Sequence, residues 1–326
     1  MIKKISVIII ILTTAVLYSS EFRRRKKNIF KAHWRSVTSV AFSPDSKYLA
    51  SVSFDRRLKI WRVSSKRLVS RFFGHYNWIM QVKYSPNGKY LASGGMDKLV
   101  NLQSAKATRV LRGYDYGVNK IAFSKDSKYI YTFCYRSKTL LIHRTENGSL
   151  YKRIKFNTRH TLMCAGFSPD CKKVVLNEGT RISLWDLKTA KRIAVFKGGI
   201  HTAGVHSLEF SPDSKILVSG GGSTFDANDG TIKFWNVKTR KLVKSIKAHE
   251  SDIFLSFTFD GKYLVSASKD RWIKIWRLKD FSLIKKISAK YESFWNVATS
   301  RDGKYVAAGT ESGYIVILKT NNLGMY

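Results

Sequence analysis

A tripeptide of the type Ser-Pro-Asp returns seven times along the chain at nearly regular intervals. The copies begin at Ser43, Ser85, Ser124, Ser168, Ser211, Thr258 and Ser300, so the successive spacings are 42, 39, 44, 43, 47 and 42 residues. A period of this length is typical of repeat architectures, in which each unit is one small supersecondary element that packs on its neighbours. The sequence therefore predicts seven similar units within its 326 residues.

The segments around each copy predict β-strands. In the first unit the apolar and polar residues alternate in SVTSVAF before the tripeptide, in KYLASVS after it, and again in LKIWRV beyond a polar turn. Alternation with a period of two, bounded by Asp, Gly and Ser turns, is the signature of short half-buried strands. Nothing in the repeats has a sustained helical period, so an all-β fold is expected.

Several units end in IWRV, LWDL, FWNV or IWRL and begin with GH or AH, and over about residues 24–320 they resemble WD40 repeats. The resemblance implies a seven-bladed β-propeller, with four-stranded antiparallel blades packed around a central channel. It also implies a hydrogen-bonded network inside a blade, formed by a loop His, a strand Ser, a turn Asp and a strand Trp. Three blades have matching residues: His33, Asp55 and Trp61; His201, Asp229 and Trp235; His249, Asp270 and Trp276.

The seventh unit ends its third strand near Lys319 and contains no fourth. Residues 21–33, EFRRRKKNIFKAH, align with residues 237–249, VKTRKLVKSIKAH, which contain the fourth strand of another unit. Residues 26–32 are therefore predicted to complete the seventh blade and remove its exposed edge. The predicted propeller spans 21–322, with repeats near 33–70, 71–111, 112–155, 156–197, 198–245, 246–286 and 287–320.

Residues 1–20 have the layout of a targeting segment. Lys3 and Lys4 precede an apolar stretch from Ile5 to about Tyr18, and small residues follow. This layout predicts a signal peptide or an N-terminal membrane anchor, and an extracytoplasmic protein that is periplasmic, secreted or membrane-anchored. The basic run from Arg23 to Lys27 favours the alternative, the cytoplasmic face of a membrane, because positive flanks tend to stay in the cytoplasm.

The formal net charge is +37, which favours polyanionic partners. A lysine follows each repeat Ser or Thr by four residues, in the turn that joins the first two strands on one face of the propeller, here called the bottom. The predicted residues that bind an anionic surface are Arg23, Arg24, Arg25, Lys47, Lys89, Lys128, Lys172, Lys215, Lys262 and Lys304. An anionic membrane is the expected surface, and nucleic acid is the less favoured alternative because no stacking aromatic residues interleave these turns.

The opposite face, here called the top, is expected to bind a protein. The resemblance implies partner contacts at the start of the first strand and before the turn Asp of each blade, where large aromatic residues, Met and Arg suit the centre of an interface. The residues at these positions or beside them are Trp34, Phe54, Trp78, Met80, Met96, Arg136, His206, Phe254 and Trp295.

No catalytic motif appears: GxSxG, HExxH and GxxxxGK[ST] are all absent from the sequence. The three Cys residues lack metal-ligand spacing, and the acidic insertion GGGSTFDANDG at residues 220–230 is interpreted as an enlarged turn. We therefore expect a monomeric, non-enzymatic scaffold without cofactor or metal that binds a protein partner. A polyanion-binding propeller and a propeller enzyme with an unrecognised site remain alternatives.

Overall fold

The computed structural model describes residues 28–199, 201–222, 229–289 and 292–325. It contains seven four-stranded antiparallel sheets arranged as blades in a ring, so the predicted all-β seven-bladed propeller is confirmed. The predicted targeting segment 1–20, Arg23, Arg24, Arg25 and most of the 220–230 insertion lie outside the described residues. No helix in the described ranges is both long enough and apolar enough to span a membrane.

Each blade contributes four strands, named a to d in order of position. Blade 1 consists of β2 (Val37–Phe42), β3 (Tyr48–Ser53), β4 (Leu58–Arg62) and β5 (Leu68–Phe72). Blade 2 consists of β6 (Ile79–Tyr84), β7 (Tyr90–Gly95), β8 (Val100–Ser104) and β9 (Thr108–Leu111). Blade 3 consists of β10 (Lys120–Phe123), β11 (Tyr129–Cys134), β12 (Thr139–Arg144) and β13 (Leu150–Lys155). Blade 4 consists of β14 (Ala165–Phe167), β15 (Lys173–Glu178), β16 (Arg181–Asp186) and β17 (Arg192–Val195). Blade 5 consists of β18 (Val205–Phe210), β19 (Ile216–Gly221), β20 (Thr231–Asn236) and β21 (Leu242–Lys247). Blade 6 consists of β22 (Ile253–Phe257), β23 (Tyr263–Ser268), β24 (Trp272–Arg277) and β25 (Ser282–Ser288). Blade 7 consists of β26 (Phe294–Thr299), β27 (Tyr305–Thr310), β28 (Tyr314–Lys319) and β1 (Ile29–Lys31), and a 3-10 helix covers Thr320–Leu323.

Strand order within a blade determines which loops share a face. Strand a lies at one edge of each sheet and strand d at the other. The a strands of neighbouring blades contact one another, as β2 does with β6 and β26, so they form the centre of the ring and the d strands form its rim. Because successive strands are antiparallel, the a–b and c–d turns lie on the bottom face, and the d–a and b–c loops lie on the top face.

Seven apolar cores hold the ring together, and each lies between two adjacent blades. The core between blades 7 and 1, for example, combines Val37, Leu49 and Trp61 with Ala307 and Ile315. The six other clusters join the remaining neighbouring pairs in the same way. A blade therefore buries both of its faces only when both neighbours are present, which is why the units are stable as a closed set.

The early strand β1 closes the ring as the sequence predicts. Ile29, Phe30 and Lys31 pair antiparallel with Val316, Ile315 and Tyr314 of β28. The Phe30 ring also meets the Trp61 ring of blade 1 edge-on, with 5.0 Å between centroids. The segment therefore completes blade 7 and packs against blade 1 at the same time.

The repeated tripeptide forms one bottom turn in every blade. In blade 1, Ser43 Oγ lies 2.5 Å from Asp45 Oδ1, which also accepts the Lys47 amide at 3.1 Å, and Ser43 Oγ accepts the Tyr48 amide at 3.0 Å. The residue after the Asp or Asn has a positive φ in all seven copies: Ser46, Gly88, Ser127, Cys171, Ser214, Gly261 and Gly303. This left-handed position explains why small residues, Gly and Ser above all, follow the Asp there.

Candidate interaction surfaces

A chain of hydrogen bonds crosses blade 1 from its buried core to its top face. Trp61 Nε1 donates to Ser51 Oγ at 2.8 Å, and Ser51 Oγ lies 2.8 Å from His33 Nε2. His33 Nδ1 lies 2.9 Å from Asp55 Oδ2, and the Asp55 carboxylate also accepts the Arg57 amide at 3.0 Å. The neutral His33 tautomer with its proton on Nδ1 satisfies every one of these contacts. The network thus ties the d–a loop and the b–c loop of the blade to its core.

Blades 5 and 6 contain the same four-membered chain. The Trp–Ser distances are 2.9 Å for Trp235–Ser219 and 2.9 Å for Trp276–Ser266, and the His–Asp distances are 3.0 Å for His201–Asp229 and 2.8 Å for His249–Asp270. His75, Ser93 and Asp97 form the corresponding bonds in blade 2, at 2.9 Å and 2.8 Å. Gln103 occupies the Trp position there, and within the described residues its buried Oε1 has no hydrogen-bond partner.

Blades 3 and 4 use different residues in the same region. Tyr114 takes the place of the loop His in blade 3, and its hydroxyl lies 3.0 Å from Thr132 Oγ1. In blade 4, Trp185 Nε1 donates to Ser183 Oγ at 2.7 Å, Ser183 donates to Glu178 at 3.0 Å, and Arg192 binds Glu178 at 3.2 Å. Blade 4 was not among the three blades predicted to form the network, and the sequence did not reveal this replacement, because Ser183 and Glu178 lie at other positions of the repeat.

Four of the predicted top-face residues form a continuous aromatic cluster across four blades. The ring of Phe54 in blade 1 lies 4.6 Å from Trp78 in blade 2 and 5.5 Å from Trp295 in blade 7, and Trp295 stacks at 6.4 Å on Phe254 in blade 6. All four residues lie at the start of an a strand or in a b–c loop, at the top end of the inner strands. We call these four residues the mouth cluster. Trp78 is its most accessible member, with 44% of its surface exposed.

Charged residues border the mouth cluster at blade 6. Lys269 Nζ lies 4.5 Å from the centre of the Trp295 ring and 2.6 Å from Asp252 Oδ2. The same carboxylate is 3.6 Å from His206 Nδ1. Burial lowers the pKa of His206, although the Asp252 carboxylate opposes the shift. Asp252 escaped the sequence analysis, and only its place in the d–a loop before β22 could have indicated it.

The other predicted top-face residues lie elsewhere on the top face. Met80 is half-buried in β6, and Met96 is exposed and packs against Gly117, where an added Cβ would meet its sulfur. Arg136 lies 5.0 Å above the Tyr116 ring. Trp34 is placed apart from the mouth cluster, at the outer end of a loop, and is 78% exposed.

Six of the seven predicted turn lysines of the bottom face lie beside an acidic group. In six of the seven turns an Asp lies two residues before the lysine and binds its backbone amide, as Asp126 does with Lys128 at 3.0 Å. The hydrogen bond from Ser124 and that from the Lys128 amide lower the pKa of Asp126, so the carboxylate stays charged. The turns contain Lys47, Lys89, Lys128, Lys172, Lys215, Lys262 and Lys304 against Asp45, Asp126, Asp170, Asp213, Asp260 and Asp302. Lys125 and Arg301 lie in the same turns, so the turns keep a small net positive charge. Binding of an anionic surface by these lysines stays a prediction.

The cysteine thiols are buried and free. Cys134, Cys164 and Cys171 lie within the inter-blade packing, and burial raises the pKa of Cys134 and of Cys171 to about 12. In the described ranges no three His, Cys, Asp or Glu side chains come together as a metal site.

The fold and the loop-His networks define a class, the β-propellers whose blades are anchored by a His-Ser-Asp chain. The sequence model of the family described as WD40, "WD domain, G-beta repeat", matches residues 24–62, 66–102, 191–236 and 240–277. These matches end in blades 1, 2, 5 and 6, which are the blades with the His-Ser-Asp network. The protein belongs to the WD40-repeat family.

The relatives include proteins of several cellular machineries. Protein hir1 of Schizosaccharomyces pombe is 37% identical over 116 residues, which is 33% of this chain and 12% of hir1. Pre-mRNA-processing factor 19 of Oryza sativa subsp. japonica is 23% identical over 85% of this chain and 46% of its own length. Small ribosomal subunit protein RACK1y of the same plant is 25% identical over 50% of this chain and 49% of its own length. The chain thus spans about half or less of each of these relatives.

These relatives correct the expected location. A small ribosomal subunit protein and a pre-mRNA-processing factor are intracellular, so the extracytoplasmic location that residues 1–20 indicated is wrong. About 14 apolar residues after two lysines fit a signal peptide without requiring one, and the nature of residues 1–20 stays a prediction. WD40 propellers as a class are protein-interaction scaffolds and are generally not enzymes.

Proposed function

We propose that this propeller binds a protein partner at the mouth cluster of its top face. The observation that carries the proposal is the aromatic contact chain Trp78–Phe54–Trp295–Phe254, which spans four blades and leaves Trp78 44% exposed. Large rings held rigidly by their neighbours bind with little loss of side-chain entropy, and they dominate the energy of many interfaces. Met80, Met96 and His206 would form the edge of the same surface.

The surroundings of the cluster support a partner that combines an apolar side chain with a polar contact. Lys269 covers one side of Trp295 and is paired with Asp252, so a charged pair lies next to the rings. Residues at the rim of an apolar contact exclude water and orient the partner. The hydrogen-bonded networks beneath the loops hold Phe54 in place, because Asp55 follows it directly and is bound to His33.

Site-specific photocrosslinking in cells of the native source tests this proposal. A photoreactive phenylalanine analogue is introduced in place of Trp78, and a control protein carries it in place of Phe259, which is 58% exposed on the bottom face. We expect discrete crosslinked species from position 78 that are absent from position 259 and that disappear when Phe54→Ala is added. Equal crosslinking from both positions, or none from position 78, would contradict the proposal.

A further inference from the structure

A row of exposed aromatic rings follows the top outer edge of blades 1 to 3. Its members are Trp34 (78% exposed), Phe73 (67%), Tyr76 (78%) and Tyr116 (40%). Trp34, Tyr76 and Tyr116 come from three successive d–a loops, and Phe73 directly follows β5. A single exposed ring is ordinary on a protein surface, but a series along one edge indicates contact with another molecule. We call these four residues the ring row.

Cations lie beside two of the four rings. Arg57 Cζ lies 5.7 Å from the centre of the Phe73 ring. Tyr116 lies between two cations, with Lys98 Nζ at 6.0 Å and Arg136 Cζ at 5.0 Å from its ring centre. The edge therefore presents flat apolar faces with positive charges beside them.

The carboxylates along this edge are already bound. Asp55 is held by His33, and Asp97 lies 2.8 Å from His75 Nδ1. Asp115 faces Arg153, with 3.6 Å between Oδ2 and Nη1. These contacts leave the three carboxylates charged, but the d–a and b–c loops of blades 1 to 3 contain seven basic residues, so the net charge of this edge is positive. The seven are Arg35, Arg56, Arg57, Lys98, Arg112, Arg136 and Lys138.

Two cations in blade 1 also face each other directly. Lys59 of β4 and Arg71 of β5 are Cα partners in the antiparallel ladder. Like charges in this arrangement destabilise a strand pair. Burial lowers the pKa of Lys59, Asp55 opposes the shift, and the nearby Arg57 and Arg71 add to it. A bound anion at this edge would relieve the repulsion.

We propose that the ring row binds single-stranded nucleic acid, with bases stacked on the rings and phosphates beside the cations. Stacking platforms flanked by positive charge accept unpaired bases of any sequence, whereas a duplex keeps its base faces covered.

Fluorescence anisotropy with the full chain tests the proposal. The probes are a labelled oligouridylate and a labelled oligodeoxythymidylate of about 12 nucleotides, a length within the range of single-strand binding sites. We expect both to bind, because stacking does not require the ribose hydroxyl, with an affinity that falls as salt rises. Trp34→Ala and Tyr76→Ala should each weaken binding about tenfold without changing the salt dependence, because they remove a stacking face and no charge.

Cation variants and a matched ring control complete the design. The triple change Arg57→Gln, Lys98→Gln and Arg136→Gln should weaken binding and also flatten its salt dependence. Phe259→Ala removes a 58% exposed ring that has Arg301 4.8 Å above it but lies on the opposite face, so it should leave binding unchanged.

Three results would overturn the assignment. The first is undiminished binding by the two ring variants, and the second is an equal loss with Phe259→Ala. The third is displacement of the oligonucleotide by an equally long polyglutamate peptide at the same concentration, which would identify the edge as a surface for an acidic protein. Crosslinking at position 78 is measured separately, so failure here leaves the proposed protein site to its own test.

Discussion

At the scale of single residues, one serine hydroxyl links the core of a blade to its top loops. Ser51 Oγ lies 2.8 Å from both Trp61 Nε1 and His33 Nε2, and all three side chains are buried. Ser51→Ala leaves both nitrogens without a partner, at about 1–3 kcal/mol for each buried group, so we expect a loss of about 2–4 kcal/mol in the free energy of unfolding. Urea unfolding measures it. Ser65→Ala, in an exposed turn of the same blade, should change stability by less than about 0.5 kcal/mol, and an equal loss in both variants would contradict the role of the network.

His143 gives blade 3 a dependence on pH. It occupies the position of Trp61 in blade 1, its ring lies 5.9 Å from Tyr114, and its buried Nδ1 has no partner within the described part of the chain. Burial, with Arg153 nearby, lowers the pKa of His143 from 6.5 to about 4. The unfolded chain therefore takes up this proton first as the pH falls. The stability that His143 contributes is complete above about pH 6.5 and is lost towards about pH 4, by up to about 3 kcal/mol.

The change His143→Phe should remove this contribution while keeping a ring beside Tyr114. We expect the free energy of unfolding of the variant to fall less than that of the natural chain between about pH 6.5 and about pH 4.5. Urea titrations at several pH values give the difference. His160→Phe replaces an exposed histidine and serves as the control. Identical pH profiles for the natural chain and the His143 variant would disprove the assignment.

At the scale of elements, the sequence is informative where a pattern repeats. The Ser-Pro-Asp turns and the closing strand β1 could be predicted because both align with other copies of the same unit. The mouth cluster could be predicted only as separate residues. Phe54 and Trp295 are more than two hundred residues apart, and their contact depends on how the ring closes. The Glu178–Ser183 replacement was missed because it depends on the register of two strands in one blade.

Closure by β1 can be tested at one side chain. Phe30 is half-buried, packs edge-on against Trp61, and contacts the core between blades 7 and 1. We expect Phe30→Ala to lower the free energy of unfolding by about 2–3 kcal/mol, below the full cost of a completely buried Phe. Phe73→Ala, at the end of another outer strand but 67% exposed, should cost less than about 0.5 kcal/mol. Similar stabilities of the two variants, by thermal or urea unfolding, would show that β1 adds little to the ring.

At the scale of the whole molecule, the distribution of charge distinguishes the rim from the two faces. The seven outer strands contain no acidic residue and these eleven basic ones: Lys31, Arg71, Arg109, Lys152, Arg153, Lys155, Arg192, Lys244, Lys247, Lys285 and Lys286. Charged side chains on edge strands prevent pairing with the edges of other molecules. The same positive rim also repels itself, because the formal net charge of the chain is +37.

This self-repulsion predicts that salt stabilises the fold. Raising NaCl from about 20 mM to about 300 mM shortens the screening length from about 20 Å to about 6 Å, which weakens the repulsion between rim charges. We expect the unfolding temperature to rise by several degrees over that range. Sucrose at equal osmolality controls for general solute effects. Replacing Lys155, Lys244 and Lys285 by Glu should reduce the salt response, because the rim then contains charges of both signs. An unfolding temperature that stays constant or falls with salt would mean that the bottom and top acids already neutralise the rim, and the rim would then add nothing to the attraction of polyanions.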